Sequence, residues 1–380
     1  MALKAIRRFN LTSITDANNH VTSFQYDSLN RKALRQLPVG MVETFSYDPV
    51  GNLSAKTDFN GKTTTYTYDV LNHPHQKIPD PSLSQPTITF TYYPTGTRQT
   101  MADATGTTNY TYDNRDRLKT KATPEGTLSY TYDVHSNLSS SNANGASVTY
   151  TPDQLNRLSV VTDNRMAAQG VGSPVTTYGY DPAGNMTGPG YSASGLQSTY
   201  TYDTLNRLSQ VTWKRGTATV ASFAYAPYLA GNVHTVTELN GRNVTYNYFS
   251  NYMLQNEVVA SDPSGNNGQE SYAYDAVGNR KTLTSTIPSL PGSVSYNYDA
   301  NDRLTTDSYD NNGNTISSSG ISYTYDFENR MLMKGAVVMV SDGDGNRVSE
   351  TVGTTTTKYL VDTLNGRRSA SGAAFGIAEV

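Results

Sequence analysis

Aspartate and arginine recur four residues apart across several turns of the chain. A carboxylate beside a guanidinium can hold the hydroxyls of a sugar or an anion, so these pairs could bind a ligand. The same pair can instead brace a hairpin turn, where an exposed ion pair contributes about 0–1 kcal/mol. Because the pair recurs together with its surrounding sequence, we predict a structural turn motif. The pairs are Asp27 and Arg31, Asp113 and Arg117, Asp203 and Arg207, Asp299 and Arg303, and Asp326 and Arg330.

Aromatic residues at irregular positions are better candidates for ligand contact. Trp213 is followed by Lys214 and Arg215, and Tyr225 and Tyr228 flank Pro227. A carbohydrate ring could stack on such groups, whereas the simpler interpretation is a loop that packs on itself. The regularly spaced tyrosines could also form a sugar-binding platform. Cross-strand aromatic packing, worth roughly 0.2–1 kcal/mol per pair, explains them more simply.

Motifs for catalysis or metal binding are weak in this sequence. No Gly-x-Ser-x-Gly elbow, phosphate loop or His-Glu-x-x-His pattern occurs. The segment from Asp342 to Asn346 begins like a calcium loop, but Arg347 and Gly353 replace the glycine and glutamate that an EF-hand requires. His73 and His75 have no third ligand at metal-site spacing. We therefore expect a protein that is not an enzyme and uses no metal or cofactor.

The composition narrows the class of protein further. Charged residues make up 16% of the chain and the net charge is -3, so nucleic acid is an unexpected partner. The absence of cysteine excludes disulfides and thiol chemistry. No signal peptide is visible, and no apolar stretch approaches the length of a membrane span. With 29 tyrosines, the cohesion of a folded chain would rest largely on tyrosine.

One sequence motif recurs throughout the chain and contains most of these residues. A Ser/Thr/Tyr alternation ends in Tyr-Asp, followed by two variable residues and then Gly-Asn or Asn-Arg. The Tyr-Asp heads are mostly 18 to 26 residues apart. Complete heads begin at Tyr26, Tyr47, Tyr68, Tyr112, Tyr132, Tyr180, Tyr202, Tyr274, Tyr298, Tyr309 and Tyr325, and degenerate copies at Tyr93, Tyr150, Tyr225 and Tyr248.

Each repeat has the pattern of a β-hairpin. In Tyr200-Thr201-Tyr202 the alternation places both rings on one face of a strand. Aspartate can hydrogen-bond back to the backbone of a turn, and glycine or asparagine three residues later tolerates positive φ. No segment shows a helical period with caps. The sequence therefore predicts an all-β array of tandem antiparallel hairpins that forms a curved or spiral sheet.

The Tyr-Asp units resemble the YD or Rhs repeats of bacterial polymorphic toxins, of the C component of Tc toxins, and of teneurins. The resemblance implies part of a hollow shell, which in bacteria encloses a C-terminal toxin domain and in teneurins serves adhesion. It thus implies a shell or scaffold segment that is secreted or at the cell surface in a longer parent. The alternative is an extracellular adhesion module that recognises cell-surface glycans.

The ends of the chain depart from the family pattern. We predict a non-repeat start at residues 1–9, the repeat array at 10–365 and a divergent, disordered tail at 366–380. The segment that in these families cleaves the chain is not recognisable after Asn365. An array without capping units exposes unpaired backbone groups at its edges. We expect the ends to exchange amide protons rapidly and the protein to self-associate through open sheet edges.

Overall fold

Antiparallel β-hairpins form almost all of the described protein, as predicted. The computed structural model describes residues 10–164 and 173–364. The chain divides into two compact units: unit 1 comprises Met1–Ser129 and Asn297–Val380, and unit 2 comprises Tyr130–Tyr296. Helical structure within the described ranges is limited to the 3-10 turn Pro81–Leu83 and the single 3-10 residue Asn164. The all-β prediction is therefore confirmed.

The first part of unit 1 is a run of strands in which each pairs antiparallel with the next along the chain. The boundary between the two units falls within the last of these strands. The strands are β1 Ser13–Thr15, β2 Val21–Tyr26, β3 Lys32–Gln36, β4 Val42–Tyr47, β5 Leu53–Thr57, β6 Thr63–Tyr68, β7 Pro74–Ile78, β8 Ile88–Tyr92, β9 Arg98–Asp103, β10 Gly106–Tyr112, β11 Leu118–Thr123 and β12 Gly126–Tyr132.

Unit 2 continues with the same sequential antiparallel pairing. Its strands are β13 Leu138–Ala143, β14 Ala146–Pro152, β15 Leu158–Asp163, β16 Val175–Tyr180, β17 Met186–Tyr191, β18 Leu196–Tyr202, β19 Leu208–Arg215, β20 Ala218–Pro227, β21 Val233–Glu238, β22 Asn243–Tyr248, β23 Leu254–Ala260, β24 Gly268–Tyr274, β25 Arg280–Ser285 and β26 Ser293–Ser295.

The second part of unit 1 holds a separate sheet of seven strands. We call residues 297–364 the C-terminal block. Its strands also pair in chain order. They are β27 Ser308–Tyr309, β28 Thr315–Ser318, β29 Ile321–Tyr325, β30 Met331–Lys334, β31 Val337–Ser341, β32 Arg347–Val352 and β33 Thr355–Lys358.

Most Tyr-Asp heads coincide with a bulge at the end of their strand. Between β18 and β19, for example, the register shifts between Thr201 and Tyr202, so that Tyr202 lies opposite Leu208. Equivalent shifts occur at Tyr26, Tyr47 and Tyr68. A bulge bends its strand and increases the local twist. The repeat therefore places a bend at these turn ends of the array, a feature that the alternation of residue types did not predict.

The buried cores are small and local. In unit 1, Ile88, Phe90, Met101 and Tyr110 pack together, and Phe327 of the C-terminal block contacts this cluster. In unit 2, Val244, Val259 and Ile287 form a second cluster with Tyr246 beside it. Elsewhere within each unit, neighbouring strands are joined by backbone pairing and by the side-chain bonds described below.

The domain bounds remain a prediction. The array fills the described ranges from Asn10 onward. The predicted non-repeat start at 1–9 and the predicted tail at 366–380 lie outside the described residues.

Candidate functional site

The Asp-Arg pair closes its own turn through the backbone and the side chain together. Asp203 Oδ1 accepts hydrogen bonds from the backbone N–H groups of Leu205 and Arg207, at 2.9 and 3.0 Å. Its Oδ2 accepts from Arg207 Nε at 2.7 Å. Asn206, between them, has φ of 58°, which asparagine tolerates better than most residues. One carboxylate therefore holds the whole turn.

The other predicted pairs have the same arrangement. The carboxylate and guanidinium are 2.7 Å apart in the Asp27–Arg31 and Asp113–Arg117 pairs and 2.8 Å apart in the Asp299–Arg303 pair. Asp326 and Arg330 are bonded in the same way. A further pair, Asp153 and Arg157, is 2.7 Å apart. Sequence analysis missed it because its degenerate head begins at Tyr150 and reads Tyr-Thr-Pro-Asp.

The guanidinium also reaches the neighbouring turn. Arg207 Nη1 donates to the carbonyl oxygen of Tyr228 at 3.0 Å, and Arg330 Nη1 donates to that of Asp342 at 2.9 Å. Arg31 makes the equivalent bond to Asp48 at 3.3 Å. Arginine can serve both turns because its fork carries five N–H donors in a fixed plane.

Turns of the Gly-Asn type make the same link with an amide. Asn52 Nδ2 donates to Asp48 Oδ2 in its own turn and to Asn72 Oδ1 in the next, both at 2.9 Å. Asn185 joins Asp181 and Asn206 in the same way, at 2.9 and 3.0 Å. The alternation of Asn-Arg and Gly-Asn turns in the sequence thus corresponds to two ways of linking successive turns.

The tyrosine of eight heads forms a third link between hairpins. Its hydroxyl donates to a backbone carbonyl at the start of the preceding return strand, as from Tyr68 to Leu53 at 3.0 Å. Burial raises the pKa of the Tyr68 hydroxyl, which keeps it a neutral donor. The same bond joins Tyr26 to Leu11, Tyr47 to Lys32, Tyr180 to Leu158, Tyr202 to Met186, Tyr248 to Val233, Tyr274 to Leu254 and Tyr325 to Thr315.

These hydrogen bonds keep the turn carboxylates ionised. The Arg117 side chain lowers the pKa of Asp113 to about 2, and the backbone N–H of Arg31 leads the causes that lower the pKa of Asp27. Hydrogen bonds to the charged form favour that form. A pKa below the usual range does not suit a general acid at neutral pH.

The irregular aromatic residues lie on strands and at a turn, so the expectation of a loop at Trp213 is wrong. Trp213, Lys214 and Arg215 end β19, opposite residues of β18 and β20. The two strands are longer than the repeat pattern indicated, because the hairpin extends to Arg215 before it turns. Trp213 stacks on Tyr191 with ring centroids 6.1 Å apart.

Tyr225 and Tyr228 occupy repeat positions rather than a separate site. Tyr225 lies in β20 opposite Val236, and Tyr228 begins the following turn. The Tyr228 ring is 4.2 Å from the His234 ring, centroid to centroid, and its hydroxyl lies 3.1 Å from Asn247 Oδ1. The structure does not bring the Trp213 group and Tyr228 together through any described contact.

Two groups of side chains resemble metal ligands. Asp344, in the calcium-like segment, accepts both its bonds from Arg98 Nη1, at 2.7 and 2.8 Å. Asp16, His20 and Asp302 place one ligand atom each within 4.8 Å of one another. Sequence analysis did not connect these three because Asp302 is far from the others in the chain. His20 is already 3.3 Å from Asp16 and Asp302 is exposed, so we assign the group no role.

The geometry defines a tandem-hairpin protein whose recurrent polar side chains bind neighbouring repeats. Two family models match it: the Teneurin YD-shell model over residues 94–265, and the RHS Repeat model over residues 10–40 and 47–78. These matches confirm the predicted resemblance: the chain carries repeats of the YD/Rhs family.

Solved structures and curated proteins agree with this assignment. The crystal structure of TcdB2-TccC3-TEV superposes with a TM-score of 0.74 at 14% identity, over 89% of this chain and 21% of that one. That similarity shows the fold. The tRNA3(Ser)-specific nuclease WapA of Bacillus spizizenii and the tRNA nuclease WapA of Bacillus subtilis (strain 168) are each 32% identical over 103 residues. The match spans 24% of this chain and only 4% of either relative.

Within residues 10–164 and 173–364, no helix has the length and apolar character needed to cross a membrane.

Proposed function

We propose that the chain is a noncatalytic wall segment of a Rhs-type shell, which in a longer parent protein helps to enclose a C-terminal toxin domain. The observation that carries this proposal is the use of the repeated residues. In the turns described above, the aspartate, the arginine or asparagine, and the tyrosine of the head bind their own or the neighbouring hairpin. Because these side chains are used in bonds within and between hairpins, we assign them a structural role in the shell and no role in catalysis.

The comparisons support the proposal without extending it to a particular cargo. The fold matches a TccC3-containing assembly, and both curated relatives are named as nucleases. Since only 4% of either relative is matched, a nuclease activity would belong to other parts of such a protein. The parent would be secreted or held at the cell surface.

Expression of residues 1–380 in bacterial cytosol tests the noncatalytic role. We expect growth equal to that of cells with an empty vector, because the shell segment alone carries no effector. Cells expressing a known toxin domain from the same promoter provide the positive control. Growth arrest that depends on the folded chain would contradict the proposal.

The second candidate is an adhesion module that binds glycans. It is favoured by the exposed Lys214 and Arg215 beside the stacked Trp213. Binding on a glycan array that is lost in Trp213→Ala or Tyr228→Ala, but kept when Asp203 and Arg207 are both replaced by alanine, would support it. Thermal unfolding of each variant distinguishes lost contact from lost structure.

A further inference from the structure

Two turns with the same four-residue pattern bind each other in unit 1. One is Asp58-Phe59-Asn60-Gly61, between β5 and β6, and the other is Asp310-Asn311-Asn312-Gly313, between β27 and β28. Asn60 Nδ2 donates to Asp310 Oδ2 at 3.0 Å. In return, Asn312 Nδ2 donates to Asp58 Oδ2 at 2.7 Å. The third residue of each turn thus binds the first residue of the other.

The backbone takes part in the same reciprocal contact. The Asn60 N–H donates to Asn312 Oδ1 at 3.3 Å, and the Asn311 N–H donates to Asn60 Oδ1 at 2.9 Å. Each aspartate uses Oδ1 for its own turn, accepting from the backbone N–H of Lys62 or Asn314 at 2.8 Å. Oδ2 of Asp58 is therefore presented to the other turn in a fixed position, as is Oδ2 of Asp310. Charged acceptors make the stronger hydrogen bonds.

Further contacts extend this seam along the C-terminal block. Lys77 Nζ is 2.7 Å from Glu328 Oε1, and Arg98 binds Asp344. Beside Arg98, Gly343 lies so close to Ile88 and Met101 that an added Cβ would be 2.8 and 2.9 Å from their side chains. Three turns of the block, those between β27 and β28, between β29 and β30 and between β31 and β32, thus meet the segment from β5 to β9. A cavity of about 200 Å³ between the paired turns is lined by polar groups of both.

The sequence pattern makes this pairing selective. Asp-x-Asn-Gly occurs at only these two positions in the chain. The preceding hairpin turn of the same kind, between β3 and β4, is Leu37-Pro38-Val39-Gly40 and has neither a carboxylate nor an amide side chain. If the C-terminal block were shifted by one pair of strands, to the turn between β3 and β4, Asp310 would lose its bond to Asn60 and Asn312 would lose its bond to Asp58.

We propose that the turn at residues 58–61 is a docking site for a second Asp-x-Asn-Gly turn, and that this pairing sets the register in which the C-terminal block closes onto β5 to β9. The partner is a tight turn that presents one carboxylate and one amide, and in this protein it is the turn at 310–313. This role concerns closure of the chain on itself and does not depend on any cargo.

Swapping the carboxylate and the amide between positions 58 and 312 tests the pairing. In Asn312→Asp, two carboxylates face each other, so we expect amide exchange in β28 to β32 to accelerate about tenfold or more. Adding Asp58→Asn restores a donor and an acceptor, and exchange should return to within about threefold of wild type. Asn240→Asp is the matched control, because Asn240 holds the same position in the turn Glu238-Leu239-Asn240-Gly241 and accepts from the Arg242 N–H of its own turn. An unchanged rate in Asn312→Asp, or a double variant no slower than the single one, overturns the proposal.

A cysteine pair provides a test that does not depend on weakening the fold. The natural chain has no cysteine, so Asn60→Cys with Asn312→Cys leaves one possible disulfide. We expect rapid intramolecular crosslinking on mild oxidation of the folded protein. Val39→Cys with Asn312→Cys should crosslink more slowly, because Val39 holds the position of Asn60 in the preceding turn of this kind, between β3 and β4. Equal crosslinking of the two folded proteins would contradict the register.

Discussion

Arg207 binds the carbonyl oxygen of Tyr228, which lies in the next turn of the array, through Nη1 at 3.0 Å. Its Nε simultaneously holds Asp203 in its own turn. Where the guanidinium reaches the next turn, as in Arg31, Arg207 and Arg330, the repeated Asp-Arg pair is therefore more than a local turn brace. It belongs to a series of bonds, completed by the Gly-Asn turns and the tyrosine hydroxyls, that connects successive hairpins.

Removal of one tyrosine hydroxyl should weaken the fold measurably. Tyr68→Phe deletes the bond to the Leu53 carbonyl and leaves that acceptor without its donor, so we expect a loss of about 1 kcal/mol in the free energy of unfolding. Urea denaturation measures it. Tyr252→Phe is the control, since Tyr252 is 63% exposed at a turn, and its unfolding curve should match wild type. Equal curves for both variants would show that the hydroxyl link contributes nothing.

Acid should destabilise the array through its turn aspartates. Hydrogen bonds from Arg117 and its turn lower the pKa of Asp113 to about 2 in the folded protein, against about 3.9 in an unfolded chain. A lowered folded pKa gives stability that is present above about pH 4 and is lost as the pH falls toward 2. Urea midpoints measured from pH 6 to pH 2 should decline over that range.

Asp113→Asn should flatten part of this decline, because the variant has no carboxylate to protonate at the first turn position. Asp116→Asn is the matched control in the same turn, where asparagine is the residue that many other repeats carry. It should keep the wild-type dependence on pH. A decline that is unaffected by Asp113→Asn would assign the acid sensitivity to other groups.

One pair of carboxylates should have the opposite effect on stability. Glu257 of β23 lies directly opposite Glu270 of β24, and burial, followed by the charge of Glu270, raises the pKa of Glu257. Its stabilising contribution is present below the unfolded pKa and is lost as the pH rises through the folded value. Glu257→Gln should therefore stabilise the protein at pH 7, by roughly 0.2–1 kcal/mol for relief of a like-charge cross-strand pair. Urea unfolding at pH 7 and pH 4 compares Glu257→Gln with wild type. A variant that is less stable than wild type at pH 7 would contradict the predicted repulsion between Glu257 and Glu270.

Sequence reasoning identified the hairpins because each repeat carries its own turn chemistry. Aspartate at the first position and a residue with positive φ three positions later, such as Asn206, are local signals. The links between hairpins could not be predicted from the alternation alone. The contact of Tyr68 with Leu53 depends on the bulge at Tyr68, which that alternation does not indicate. The pairing of Asn60 with Asp310 could not be predicted for a related reason: it joins distant segments that no local pattern connects. Trp213 was assigned to a loop because the longer hairpin of β19 and β20 departs from the repeat length.

The central claim is that the repeated residues join each hairpin to the next, and Arg207→Ala tests it most directly. Hydrogen–deuterium exchange would be followed by mass spectrometry in two turns, at residues 203–207 and 228–232. We expect exchange to accelerate in both, because the variant loses the bond to Asp203 and also the bond to the Tyr228 carbonyl. Acceleration confined to residues 203–207 would contradict the claim and reduce the motif to a brace within a single hairpin.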